Sequence, residues 1–403
     1  MFFATRALLR LFYLHIVRRK ALPRRRRPSL TFCVLFFAIF PLVELFNALC
    51  LLLDVLLFPG CRRARISPPI FIIGAPRSGT TILHRVMAED EEQFFCFRTW
   101  EIALPSVLQK KIASGIGRLD RLTGNRLRAF LVRSEAEHFK KIGHIHEIGL
   151  FLPEEDDNLL AHILATMDLA WFFPDGDFAR MARFDVAVDP RDQRRIMDFY
   201  LRCVRRQAYF KGGRRRLLSK NPMFSGKVAN LLRYFPDCRI VYLVRNPLEV
   251  VPSAISLARV IVRSTVGGEP DADLDERSYE ILRFNYTYPL DRLSELPQDR
   301  FLVVNYEDLT AQPKQVVELI YRQFGLTLTP EFEERLDREV AKMQRHKSRH
   351  EYSLAQCSVT RERIIADLQP IFDRFAFDTR DVAASTQGPS HVPRTPQRQH
   401  EDN

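Results

Sequence analysis

The chain has 403 residues, 46% of them apolar and 27% charged, with 61 Lys and Arg against 49 Asp and Glu. That length and composition suit a globular protein with one large core or two smaller ones, and exclude a wholly disordered chain, a collagen and a polytopic membrane protein. The formal charge of +12 still admits a nucleic acid, an anionic membrane or an anionic ligand as partner.

Position decides among these. Residues 1–65 hold twelve basic side chains against Glu44 and Asp54, so ten of the net charges sit there. The rest of the chain is nearly neutral, with no zinc-finger spacing and no basic-aromatic repeat, and no nucleic-acid partner is expected. The seven cysteines are odd in number and form no C-x-x-C pair. That argues against a disulfide framework or a zinc site, and for a reducing compartment.

The N-terminal MFFATRALLRLFYLHIVRRK is basic and amphipathic, and four arginines follow it. Such a segment suits an anionic bilayer surface. Residues 30–58 are apolar except for Thr31, Pro41, Glu44, Asn47 and Asp54. This run starts late and lacks a small-residue cleavage site, so it is not a signal peptide. It is long for one span and short for two. The flanking arginines argue against a buried pair of core helices. Two topologies stay open. One is a kinked in-plane or re-entrant hairpin, divided at Pro41, with both basic flanks and the globular part on the cytoplasmic side; the other is a single tilted span, which puts the globular part on the far side. Basic residues on both flanks favour the hairpin. Glu44 and Asp54 are costly at bilayer depth unless they face protein or the interface.

From Pro68 the pattern becomes alternating strands and helices. Strands are expected at 69–74, 216–220, 239–245 and 301–309. Helices are expected at 80–89 and 224–234, after Pro247, and from Pro313 to Phe324. Residues 100–215 read as mostly helical, residues 264–276 as a polar loop and 381–403 as disordered. Three parts follow: an anchoring segment 1–65, a globular domain 66–380 and a tail 381–403.

The strongest motif is Gly74-Ala75-Pro76-Arg77-Ser78-Gly79-Thr80-Thr81, between strand and helix. Glycines at such a turn let backbone N–H groups surround an anion, and the helix N-terminus adds its dipole. In an ATP-binding loop a Lys would stand where Thr80 is; here Arg77 supplies the cation. The second motif is Arg239 to Arg245 on a buried strand, with Ser253 eight residues after Arg245. Arg245 ends that strand, at the edge where α/β sheets bind ligands, so Arg245 and Ser253 are placed to hold a second phosphate.

Together these motifs resemble the sulfotransferases that use 3′-phosphoadenosine 5′-phosphosulfate. In that family P-R/K-S/T-G-T-T is the 5′-phosphosulfate loop, matched by Pro76 to Thr81. An Arg at a strand end with a Ser eight positions on binds the 3′-phosphate, matched by Arg245 and Ser253. The run Leu218-Ser219-Lys220-Asn221-Pro222, then Phe235-Pro236, looks like tyrosylprotein sulfotransferases. Tyr306-Glu307-Asp308-Leu309 before Pro313 also recurs in the family. RTWE at 98–101, LPEED at 152–156 and the stretch 349–354 are similar to membrane-associated members.

The resemblance spans about Pro69 to Phe377. It implies an α/β fold: a P-loop-type central parallel sheet flanked by helices, with helical insertions and an N-terminal membrane-associated helical segment. It implies sulfuryl transfer from 3′-phosphoadenosine 5′-phosphosulfate to a hydroxyl, less readily an amine, on a lipid, glycolipid or carbohydrate. No metal is required, because fixed cations and backbone dipoles meet the charge. Arg77, Lys220, Thr80 and Thr81 are placed to stabilise the leaving oxygen. Glu101 is the expected general base, with His146 and Glu147 as competing bases in an acceptor-site wall. Lys347 to His350 fall where relatives close a basic loop over the nucleotide, and Arg259 is a weaker phosphate ligand. Trp100 and Trp171 read as packing residues. A P-loop NTPase or kinase, and a non-catalytic membrane-associated nucleotide-binding scaffold, are the alternatives. The missing loop Lys argues against the first, and the intact set Arg77, Lys220, Arg245 and Ser253 against the second.

Overall fold

Short apolar runs of the globular part form a five-stranded parallel sheet: β1 (Ser67–Gly74), β2 (Phe94–Phe95), β3 (Arg216–Lys220), β4 (Arg239–Val244) and β5 (Phe301–Asn305). The strand order is β2-β3-β1-β4-β5. The computed structural model describes residues 2–23, 26–139, 149–174, 177–266, 270, 273–345, 354 and 357–379. The central strands β1, β3 and β4 are buried along nearly their whole length, as strands covered by helices on both faces must be. One face packs Phe71, Tyr200, Phe224 and Phe235. The other packs Ile70, Leu83, Leu218 and Tyr321. All seven cysteines are free thiols.

Register sets the site. Ile72 of β1 pairs with Lys220, and Gly74 with Leu243. The ends of β1, β3 and β4 therefore emerge side by side at the carboxyl edge. Two departures from the expected elements stand out. β5 ends at Asn305, and Tyr306–Ala311 is a helix. The 224–234 helix is split into a 3₁₀ turn over Pro222–Lys227 and an α-helix over Val228–Tyr234. Asn221 caps that turn, its side chain accepting from the Met223 N–H at 2.7 Å.

The N-terminus supplies α1 (Phe2–Phe12) and α2 (Leu30–Leu57). α2 is long and apolar enough to cross a membrane, by length and composition. The hairpin expected from Pro41 is not formed: α2 is one helix of 28 residues. Proline deletes one intrahelical hydrogen bond, but both ends of α2 are held. Ser29 caps the start, accepting from the Phe32 N–H at 3.1 Å. Phe36 packs edge-on against Phe173 with centroids 4.9 Å apart. Near the far end, Asp54 pairs with Arg206 at 2.9 Å. α1 joins the same cluster through buried Leu11. Two further helices matter below, α3 (Thr80–Ala88) and α4 (Thr99–Ala103), followed by α5 (Val107–Leu122).

Candidate active site

The loop between β1 and α3 is shaped by what it cannot accommodate. Gly79 sits at φ +91°, and a Cβ there would lie 2.7 Å from the Tyr306 ring. Gly74 meets the Leu243 carbonyl oxygen, which a Cβ would approach to 2.4 Å. Between them Arg77 takes φ 74°, a left-handed conformation that costs a long side chain about 1 kcal/mol or more. Two contacts hold it. The Arg245 guanidinium donates to the Arg77 carbonyl oxygen at 3.2 Å, and Arg77 Nε donates to Ser253 Oγ at 3.2 Å. Thr80 and Thr81 open α3, so the unpaired N–H groups of its first turn face the loop. The Ser78 hydroxyl is buried with no hydrogen-bond partner among the described residues.

Arg77, Arg245 and Ser253 are thus brought together. Arg245 also lies 4.1 Å over the Tyr306 ring. The same ring touches Gly79 and Arg245, so Tyr306 fixes the spacing between the loop and the second motif. In the structure Arg245 is not an open cation: Nε and Nη2 both donate to Glu249 Oε2, at 2.9 and 2.6 Å.

Lys220 ends β3 almost fully buried, and its Nζ meets Glu155 Oε1 at 2.7 Å. Its neighbours extend a polar network. Asp156 accepts from Ser219 Oγ at 2.8 Å and from Tyr200 OH at 2.6 Å. Asp157 pairs with Lys227 at 2.6 Å. The acidic run is drawn to the RTWE stretch by the Arg98–Pro153 bridge and by the Glu154 N–H, which donates to the Phe97 carbonyl at 2.9 Å.

Glu101 is placed differently from an accessible base. Its side chain is 0% exposed and ion-paired with Lys211 at 2.6 Å. Its other oxygen accepts the Arg98 backbone N–H at 2.9 Å, capping α4. Arg259 is paired with Asp275, at 2.5 Å. Trp100 packs against Phe210 and Trp171 against the main core. His146, Glu147 and Lys347 to His350 lie outside the described residues. Glu155 and Glu249 escape a reading of the sequence. Glu155 is one of four consecutive acids, and nothing in the run says which one meets Lys220. Glu249 looks like an ordinary first-turn helix acid.

Burial tunes several groups here. Asp156 is pushed up to about 7 by desolvation, against the pull of its two hydrogen bonds. His162 would be lowered by burial, but the hydrogen bond and charge of Glu44, with the Ile102 carbonyl, raise it above its ordinary value. His84 is pushed down to about 3 by burial and by the Lys220 charge. A raised folded-state pKa means that the folded protein takes up its proton first as pH falls. Stability from Asp156 and His162 is therefore lost as pH rises through their folded values. His84 has the opposite sign, and destabilises once the unfolded chain binds its proton below about pH 6.5. The melting midpoint should rise as pH falls from about 8 to about 6.5. A scan in which it falls over that interval would contradict this account.

A sequence model of the sulfotransferase family matches residues 68–330. Omega-hydroxy-beta-dihydromenaquinone-9 sulfotransferase Stf3 of Mycobacterium tuberculosis is 27% identical over 268 residues, 64% of this chain and 63% of that protein's length. Among solved structures, sulfotransferase STF1 from Mycobacterium tuberculosis superposes with a TM-score of 0.67 at 20% identity, covering 91% of each chain. Sulfotransferase STF9 from Mycobacterium avium gives 0.65 at 18% identity, covering 81% of this chain and 82% of its own. These two share the fold. The family match covers more than half of the chain and starts just ahead of the anion loop: the chain belongs to the sulfotransferase family.

Proposed function

We propose that this protein transfers a sulfuryl group from 3′-phosphoadenosine 5′-phosphosulfate to a hydroxyl on a lipid-like acceptor. The observation that carries this is the joining of Arg77, Arg245 and Ser253 around one glycine-shaped loop. Two phosphate-sized anions at neighbouring strand ends need such a pair of cations. The buried, unpartnered Ser78 hydroxyl and the start of α3 fit the same ligand.

The residues divide the chemistry. Pro76 to Thr81 cradle the 5′ end of the donor, and Arg245 with Ser253 hold its 3′-phosphate. A bond forms from the acceptor oxygen to sulfur as the bond from sulfur to the 5′-phosphate oxygen breaks. Arg77 and Lys220 meet the charge that grows on that phosphate. The acceptor's proton needs a base. Glu155 suits this role better than Glu101: it touches Lys220 and is partly exposed, whereas Glu101 has no exposed surface. Once Lys220 turns toward the donor, the Glu155 carboxylate is released to take the proton.

Two observations support a lipid-like acceptor. Stf3 acts, by its name, on a hydroxylated menaquinone. In this chain the apolar α2 docks through Glu44 on His162, in the same short 3₁₀ helix (Asp156–Ile163) that Glu155 precedes.

Calorimetry with adenosine 3′,5′-bisphosphate tests the reading, and no binding by folded protein would sink it. Arg245→Ala should weaken that binding by about 2–4 kcal/mol, as a buried phosphate loses its bidentate partner. Unchanged affinity would move the 3′-phosphate site elsewhere.

A further inference from the structure

We infer that this protein is monotopic: α2 lies along one face of an anionic bilayer and does not cross it. The polar residues of α2 decide this. Glu44, Asn47 and Asp54 fall on one side of the helix, by its period of 3.6 residues. All three bond to the globular part. Glu44 meets His162 Nδ1 at 2.8 Å, and Asn47 Oδ1 accepts from Gln109 Nε2 at 2.7 Å. Asp54 accepts from Arg206 Nε, Ser106 Oγ and the Val107 and Leu108 N–H groups, all at 2.8–2.9 Å. At the other end, Phe32 stacks on Phe172 at 5.7 Å and buried Cys33 joins the Phe173 cluster.

Docking therefore runs from Phe32 to Asp54, about 33 Å of helix at 1.5 Å per residue. That is the whole thickness of a bilayer's hydrocarbon core, about 30 Å. If α2 crossed the bilayer, the domain bound along it would have to lie inside the bilayer too. The Arg206–Asp54 pair, α5 and the 3₁₀ helix would enter hydrocarbon. Laying α2 flat removes that conflict.

The outward face fits this placement. Ile39, Leu42, Phe46, Leu49, Leu53 and Leu56 are exposed, spaced alternately three and four residues apart. α5, which α2 touches through Asp54 and Asn47, adds exposed Ile112, Ile116 and Leu119. An apolar stripe of this length is far beyond scattered surface leucines. Charge names its occupant. Exposed Arg6, Arg10, Arg18 and Lys20 precede α2, and exposed Arg62, Arg63 and Arg65 follow it. Its two acids are turned inward. A flat α2 brings both basic ends to one surface, as anionic headgroups require.

The inference is independent of sulfuryl transfer, because its test reads location and not turnover. Full-length protein carrying one tag at each terminus is expressed in cells, and sealed membrane vesicles of both orientations are treated with protease. Both tags should be cleaved in the same orientation; cleavage in opposite orientations means a span and overturns the proposal. Purified protein should float with phosphatidylcholine vesicles containing phosphatidylglycerol, and less with phosphatidylcholine alone. The triple variant Leu42→Gln, Leu49→Gln, Leu56→Gln should lose vesicle affinity by about 100-fold or more, with an unchanged melting midpoint in detergent. Unchanged flotation of that variant overturns the proposal. So does a wild-type protein that ignores vesicles and forms dimers which the variant dissolves, since the face would then be occupied by a second copy.

Discussion

Glu155→Gln should lower turnover by about 10²–10⁴-fold while leaving the binding of adenosine 3′,5′-bisphosphate intact. Glutamine keeps the shape of the side chain and can still accept a hydrogen bond from Lys220, which Glu155 meets at 2.7 Å. It cannot take up a proton. The loss should therefore appear in kcat and spare the affinity for nucleotide. Glu101→Gln makes the contrast. It weakens a buried ion pair with Lys211 and spares the α4 cap if the amide oxygen takes the Arg98 N–H. Its expected effect is a lower melting midpoint, with turnover per folded molecule changed far less than in Glu155→Gln. Single-turnover assays on both variants decide the matter. If Glu101→Gln abolishes turnover in fully folded protein and Glu155→Gln does not, the proton goes to Glu101.

Asp54→Ala should cost about 3–5 kcal/mol of stability. Asp54 is completely buried and accepts four hydrogen bonds, from Arg206, Ser106 and two backbone N–H groups at the start of α5. Alanine leaves the Arg206 guanidinium uncompensated in a nearly closed site and removes the acceptor of the Val107 N–H, leaving α5 with the Ser106 cap alone. Both defects act where α2, α5 and the Pro190–Phe210 helix meet. Denaturant titration of the detergent-solubilised protein measures the change. A loss under about 1 kcal/mol would show that the network is no stronger than a surface ion pair, and that α2 is held by its apolar contacts alone.

Local chemistry was legible in the chain, and pairing at a distance was not. β1 and β4 announce themselves as short β-branched runs and β3 as a short apolar one, and the anion loop carries strand, glycines, hydroxyls and helix start within fifteen residues or so. β2 has two residues, Phe94 and Phe95, and exists only because β3 lies beside it. β5 was expected to run on to Leu309, because Tyr306 and Leu309 suit a strand as well as a helix. The Lys220–Glu155 contact joins positions 65 apart. It depends on the bridge between the 98 and 153 segments, which no periodicity shows. Glu44 and Asp54 were conspicuous as acids in an apolar run. Whether they faced lipid, water or protein was a tertiary question, which His162 and Arg206 answer.

The Glu249 clamp on Arg245 bears on how the enzyme would empty itself. An arginine already gripped by a carboxylate gains less from a new anion than a bare guanidinium would, since one ionic partner is exchanged for another. If Arg245 holds the 3′-phosphate as proposed, that phosphate would feel a moderate pull and not the full strength of a bare guanidinium. Donor and spent nucleotide carry the same 3′-phosphate, so this moderation applies equally to both. Under the proposed activity it would leave the cycle free of a deep trap at the product stage, and it gives Arg245 a resting position with its charge already met by Glu249.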